Sequence, residues 1–142
     1  MILLDTNVVS EPLKASGDIN VLAWIDAQII ETLYLSTISV AELRFGIAVL
    51  PEGKRRDALH SSLEQRVLPL FAGRILPFDA PASQAYATLR ARARTAGQAI
   101  APTDGYIAAI AVTQGFSVAT RDTSPFDAAG LAVINPWRWK GH

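Results

Sequence analysis

The feature that most constrains this chain is a repeated alternation of short apolar runs with longer stretches of helical spacing. Parallel strands cannot be joined by tight hairpins and need a crossover, usually a helix. The alternation therefore predicts an α/β fold: a mostly parallel five-stranded sheet flanked by helices in three layers. The expected strands are Ile2 to Leu4, Leu33 to Ser36, Ile75 to Phe78, Phe116 to Thr120 and Leu131 to Ile134. Asp79 and Pro81 mark the start of a helix running through Tyr86 and Leu89 to stop near Gly97, and Gly115 ends another just before Phe116. The stretch from Gly53 to Leu70 reads as one amphipathic surface helix. A length of 142 residues suits one core, so residues 1–142 are expected to form a single domain.

Charge and composition narrow the function classes. Thirteen basic residues balance thirteen acidic ones, so net charge points to no partner, and nucleic-acid contact would have to rest on local patches. Cysteine is absent, which excludes disulfide frameworks and thiolate-ligated zinc and fits a reducing compartment. Asp5 interrupts the apolar start and no basic flank precedes it, so neither a signal peptide nor a membrane anchor is expected there. No apolar run approaches a membrane span, and the expected location is the cytoplasm.

In an open parallel sheet, ligands bind outside the carboxyl ends of the strands, where strand order reverses. Asp5 follows the first strand, Asp122 lies just past the fourth, and Glu42 enters a helix shortly after the second. The helix from about Thr103 to Gln114 leads straight into a strand and is about as long as that strand's layer is tall, which leaves Asp104 on the same edge. Asp104 is the only charged residue between Arg94 and Arg121, and the segment Tyr106 to Val112 after it is apolar on every side, as in a buried helix. Four carboxylates drawn together repel one another and raise their own pKa values. A divalent cation resolves that repulsion, and an all-oxygen site suits Mg²⁺ or Mn²⁺.

Each acid also has a plain structural reading. Asp5 in Asp-Thr-Asn suits a turn or cap, and Asp122 before Thr123, Ser124 and Pro125 suits a loop. Ser39-Val40-Ala41-Glu42 matches a capping box, with the glutamate reaching back to the amide of Ser39. Asp104 could complement a helix dipole, with Thr103 as cap. The functional reading rests on convergence, because four independent structural roles would otherwise have to fall on one edge.

The segments Ile-Leu-Leu-Asp5-Thr6-Asn7, Ser-Val-Ala-Glu42-Leu, Thr-Asp104-Gly-Tyr-Ile-Ala-Ala and Ala-Thr120-Arg121-Asp122-Thr123 resemble the PIN-domain ribonucleases, particularly the VapC-like and FitB-like toxins of bacterial toxin–antitoxin pairs. The resemblance covers essentially the whole chain, including the tail Asn135-Pro136-Trp137. It implies a PIN-like sandwich, an acidic metal site of Asp5, Glu42, Asp104 and Asp122, and support from Thr6, Asn7 and Thr120. It also implies a homodimer held by an antitoxin of the VapB or FitA type whose tail covers the site. Pro102 and Thr103 depart from the usual pattern ahead of Asp104.

A cation held by the acids would acidify water for in-line attack on an RNA phosphodiester, with no protein nucleophile. That suits a chain whose only histidines are His60, on the expected surface helix, and His142 at the chain end. RNA contacts would fall to Arg121, to Lys54, Arg55 and Arg56, and to the cluster Arg90, Arg92 and Arg94, although such runs are usually solvated helix faces. Trp24 is expected in the core, and Trp137 and Trp139 could pack the tail or a partner. A phosphoryl-transfer enzyme with Asp5 as nucleophile is disfavoured, because it would want a second acid where Asn7 stands and a lysine in the lysine-free stretch from Arg55 to Trp139. The remaining rival is a catalytically silent module of the same fold that binds RNA or a protein.

Overall fold

The computed structural model describes residues 1–141, so His142 lies outside the described residues. Among these residues the strands are β1 (Ile2–Leu4), β2 (Leu33–Ser36), β3 (Ile75–Leu76), β4 (Ser117–Ala119) and β5 (Val133–Ile134). They form one sheet in the order β3-β2-β1-β4-β5, and every pairing is parallel. The first two strands have the bounds expected from sequence, while the other three are shorter. Asp5 and Thr120 nonetheless extend the ladder by one bond each, through the Asp5 N–H to Ala119 O at 2.9 Å and the Thr120 N–H to Ile134 O at 2.9 Å.

Because side chains alternate across a strand, each strand feeds both faces of the sheet. Leu4, Leu33, Leu35 and Ala119 point to one core with Val8, Val21, Trp24, Leu43 and Leu63. Leu3 and Val118 point to the other with Leu89, Ile107, Ile110 and Phe126. Helices α1 (Thr6–Ser10), α2 (Ile19–Ala27), α3 (Thr37–Ala48) and α4 (Lys54–Ser62) belong to the first layer, and α5 (Ala80–Thr95), α6 (Pro102–Gln114) and α7 (Ser124–Ala128) to the second. Each fully buried leucine, isoleucine or phenylalanine contributes about 1.5–3 kcal/mol.

The punctuation of α5 and α6 is as read from sequence. The Asp79 carboxylate accepts from the Ala82 N–H at 3.0 Å, and Gly115 takes the left-handed conformation at φ 71°. Ile107 to Ala111 are buried on all sides, but Val112 is 41% exposed and Tyr106 only half-buried, so the buried segment is shorter than expected. Thr103 does not cap α6, whose N-cap position is Ala101. The single amphipathic helix expected from Gly53 to Leu70 is also corrected. α4 stops at Ser62, a π-helical turn spans Leu63–Val67, and a 3-10 turn spans Leu68–Phe71. Pro69 has no N–H for an α-helical bond, so regular helix cannot continue through it. The π turn accompanies full burial of Leu63.

Candidate active site

Strand order reverses between β1 and β4, since β2 and β3 lie on one side of β1 and β5 lies beyond β4. A crevice at the carboxyl end of these two central strands is the expected binding place in an open α/β sheet. Asp5 leaves β1 there, and Thr120 to Asp122 leave β4 beside it. Glu42 comes from the second turn of α3, which follows β2 directly, and Asp104 from the first turn of α6.

Asp5 is only 7% exposed and acts as N-cap of α1. Its carboxylate accepts from the Thr6 N–H at 2.8 Å and from the Thr120 hydroxyl at 2.8 Å. Burial pushes its pKa above the ordinary 3.8; the two hydrogen bonds oppose that rise, and the charges of Asp104 and Glu42 add to it. Asp104, half-buried, is also pushed up, first by burial and then by Asp122 and Glu42. All four expected acids thus lie within one electrostatic neighbourhood. Among the described residues none of them has an ion-pair partner, since the ion pairs present are Lys14–Glu11, Arg44–Glu64 and Arg56–Glu52.

Among the described residues no three acidic or histidine side chains converge tightly enough to hold an ion as they stand. The donor set itself is the hard, all-oxygen, negatively charged chemistry that Mg²⁺ or Mn²⁺ takes, and two of its members carry raised pKa values that a cation would relieve. Asn7 Oδ1, two residues after Asp5 in the chain, is a buried acceptor with no hydrogen-bond partner among the described residues. Glu11 Oε2, similarly buried, is met by the Lys14 ammonium at 2.9 Å and belongs to the loop before α2.

Glu42 overturns the capping-box expectation. The N-cap of α3 is Ser36, whose Oγ accepts from the Ser39 N–H at 3.0 Å, so Ser39 lies inside the helix. The Glu42 side chain instead accepts from the Thr6 hydroxyl at 2.6 Å. The same Thr6 oxygen lies 2.9 Å from Ser39 Oγ, and Ser36 and Ser39 are both fully buried. The sequence reads Ser36 only as the end of a strand and Ser39 only as a helix cap, so neither is expected at the site.

The expected basic contacts divide. Arg121 is exposed between Thr120 and Asp122, with its guanidinium 5.3 Å from the centre of the Trp137 ring. Arg55 lines a groove that also includes Thr6 and Glu42. Lys54 is exposed one residue before it, and Arg56 is drawn 3.9 Å from Glu52. Arg90 has a packing role instead, donating to Tyr86 Oη at 2.7 Å and to Ile100 O at 3.1 Å. His60 is exposed on α4, as expected, and Trp24 is buried in the core. Trp137 and Trp139 pack the tail onto the core of the first layer.

The PIN domain family model matches residues 2–131. "VapC ribonuclease Y4jK" of Sinorhizobium fredii is 66% identical over 137 residues, covering 96% of this chain and 98% of that protein. "Toxin FitB" of Neisseria gonorrhoeae is 58% identical, covering 96% of this chain and 99% of the toxin. The crystal structure of FitAcB from Neisseria gonorrhoeae superposes with a TM-score of 0.95 at 57% identity, covering 98% of this chain and 100% of that one. With the family match running from β1 through β4 and these relatives aligned over nearly the whole chain, this chain belongs to the PIN domain family.

Proposed function

We propose that this protein is a Mg²⁺-dependent endoribonuclease and the toxin of a toxin–antitoxin pair, acting as one PIN domain over residues 1–142 in the cytoplasm. The observation that carries the reading is the group of four carboxylates, Asp5, Glu42, Asp104 and Asp122, in which Asp104 and Glu42 raise the pKa of Asp5, and Asp122 and Glu42 that of Asp104, with no ion-pair partner for any of them among the described residues. Its support is the identity to a relative named a ribonuclease and to another named a toxin. No helix among the described residues is long and apolar enough to cross a membrane.

Bound among the acids, Mg²⁺ or Mn²⁺ would supply Lewis acidity and offset the charge that develops on the phosphate. The chain's own contribution is placement. Thr120 and the Thr6 amide hold Asp5 in one rotamer, and the Thr6 hydroxyl holds Glu42. Asp104 and Asp122 approach from α6 and from the end of β4. Arg121, beside Asp122, is set to meet an RNA phosphate, and Lys54, Arg55 and Arg56 flank the path along α4.

An antitoxin of the VapB or FitA type has a suitable seat. A groove of about 960 Å³ is lined by Thr6 and Glu42, by the apolar Leu13, Leu43, Ile47 and Leu59, and by Lys14 and Arg55. A peptide laid there would reach Glu42, and a homodimer would present two such grooves. The deciding experiment incubates purified protein with structured RNAs in Mg²⁺ and in EDTA, with Asp5→Asn alongside. Cleavage only with Mg²⁺, lost in Asp5→Asn while its melting temperature holds or rises, is the expected result. Equal metal-dependent cleavage by Asp5→Asn removes Asp5 from the site, and no cleavage by the parent protein favours the silent module.

A further inference from the structure

Two fully buried serines lie behind the exposed carboxylate of Glu42, joined to it through Thr6. Ser36 Oγ lies 3.3 Å from Ser39 Oγ, Ser39 Oγ lies 2.9 Å from Thr6 Oγ1, and Thr6 Oγ1 lies 2.6 Å from Glu42 Oε1. Each hydroxyl has a single proton, and a carboxylate only accepts, so the direction of every bond in the chain is fixed from its end. The Thr6 proton goes to Glu42. Thr6 must then accept from Ser39, and Ser39 must accept from Ser36. The Ser36 oxygen remains free for its second task, accepting from the Ser39 N–H at the start of α3. A run of hydroxyls pointing one way strengthens each member by polarisation, the more so in a buried setting.

We propose that Ser39 is a positioning residue for the metal site: acting through Thr6, it fixes the rotamer of Glu42 so that the second carboxylate oxygen is left for the cation. Glu42 needs such a restraint. It is exposed, a glutamate has three rotatable bonds to immobilise, and no arginine or lysine pairs with it among the described residues. A free Thr6 hydroxyl could turn its proton toward solvent or toward a helix carbonyl. With Ser39 donating to it, Thr6 cannot give its proton to Ser39, and of its two side-chain partners Glu42 is the one left to accept it. Hydrogen-bond partners behind a metal ligand tune affinity in this manner.

The inference rests on the metal-site reading of Glu42, and a double-mutant cycle separates the two. Mn²⁺ binding to the full chain is measured by calorimetry for the parent protein, Ser39→Ala, Glu42→Gln and the double variant, with melting in EDTA as a folding control. Ser39→Ala is expected to weaken Mn²⁺ binding by about tenfold, the lower end for residues that support a ligand. In the Glu42→Gln background the same change should have an effect of less than about twofold, because the group it positions has lost its charge. Ser39→Cys, which keeps the volume and a weak donor, should fall between. If Ser39→Ala does not fold, Thr6→Val breaks the same chain from its partly exposed end and must show the same dependence on Glu42. Equal weakening in both backgrounds means Ser39 acts on packing alone and overturns the inference, as does unchanged affinity in Ser39→Ala beside a weakened Glu42→Gln. Unchanged affinity in Glu42→Gln overturns the metal reading of Glu42 itself.

Discussion

Thr120→Val isolates the bond that holds the most buried acid. Thr120 is fully buried, and its hydroxyl donates to Asp5 Oδ2 at 2.8 Å, while the carbonyl of Asp122 at 3.4 Å is a long second contact. Valine matches threonine in shape, so no cavity forms, and the loss is that of a hydrogen bond to a charged acceptor. Such a bond contributes about 1.5–3 kcal/mol, against about 0.5–1.5 kcal/mol when both partners are neutral. For a chain of this size that corresponds to a melting temperature lower by roughly 5–10 °C at neutral pH without metal. The bond favours ionised Asp5, so its removal raises the Asp5 pKa further, beyond what burial already imposes. Its full contribution is present above the folded-state pKa and shrinks as pH falls through it. Urea unfolding in EDTA should therefore show a large deficit for Thr120→Val near pH 7.5 and a smaller one, toward that of a neutral pair, at an acid pH below the raised Asp5 pKa. A deficit that is equal at both pH values, or that stays below about 0.5 kcal/mol at neutral pH, refutes the account of Asp5 as a buried charge held by Thr120.

Asp5 and Asp104 as a pair give a trend of the opposite sign: their folded-state pKa values are raised, so the metal-free protein should be favoured below about pH 3.8 and lose stability as pH climbs through the raised values. Melting in EDTA across that range checks it, and Asp5→Asn should flatten the curve. Gly105→Ala would place a Cβ 2.9 Å from Tyr86 Cε2 and 3.2 Å from Arg90 Cδ, against a ring already stacked on Tyr106 at 4.7 Å. Overpacking of about 1–3 kcal/mol outweighs the roughly 1 kcal/mol gained in helix propensity, so calorimetry should show a lower melting temperature. An antitoxin that inserts an arginine among the four acids should be displaced by MgCl₂ more readily than by KCl at matched ionic strength, as read by RNA cleavage from the complex. Identical responses to the two salts would exclude direct displacement.

What could be read in the sequence was whatever a short stretch decides for itself. The bounds of β1 and β2 follow from apolar runs closed by Asp5 and Ser36, and the ends of α5 and α6 from Asp79, Pro81 and Gly115, each a local steric or capping choice. What could not be read depended on a partner far along the chain. Ser36 and Ser39 both suit a helix cap, and the choice falls to the residue where β2 ends, because the helix must start as soon as the strand leaves the sheet. Once Ser36 is the cap, the capping box is out of register, and Glu42 is released from the local amide to a hydroxyl 36 residues earlier. The same holds for Arg90: three arginines in a row of alternating positions look like a basic patch, and only the approach of Ile100 and Tyr86 makes one of them a packing residue. The acids differ from both cases. For Asp5, Asp122 and Glu42 the convergence follows from strand polarity, because a parallel sheet sends every strand end to one edge whatever the strand order, and for Asp104 from the length of the helix that leads into β4. The order β3-β2-β1-β4-β5 then adds what polarity cannot supply, placing β1 beside β4 so that Thr120 reaches Asp5 across 115 residues. The site is therefore set by topology at its centre, in Asp5 and Thr120, and by side-chain hydroxyls at its rim, in Thr6, Ser39 and Glu42.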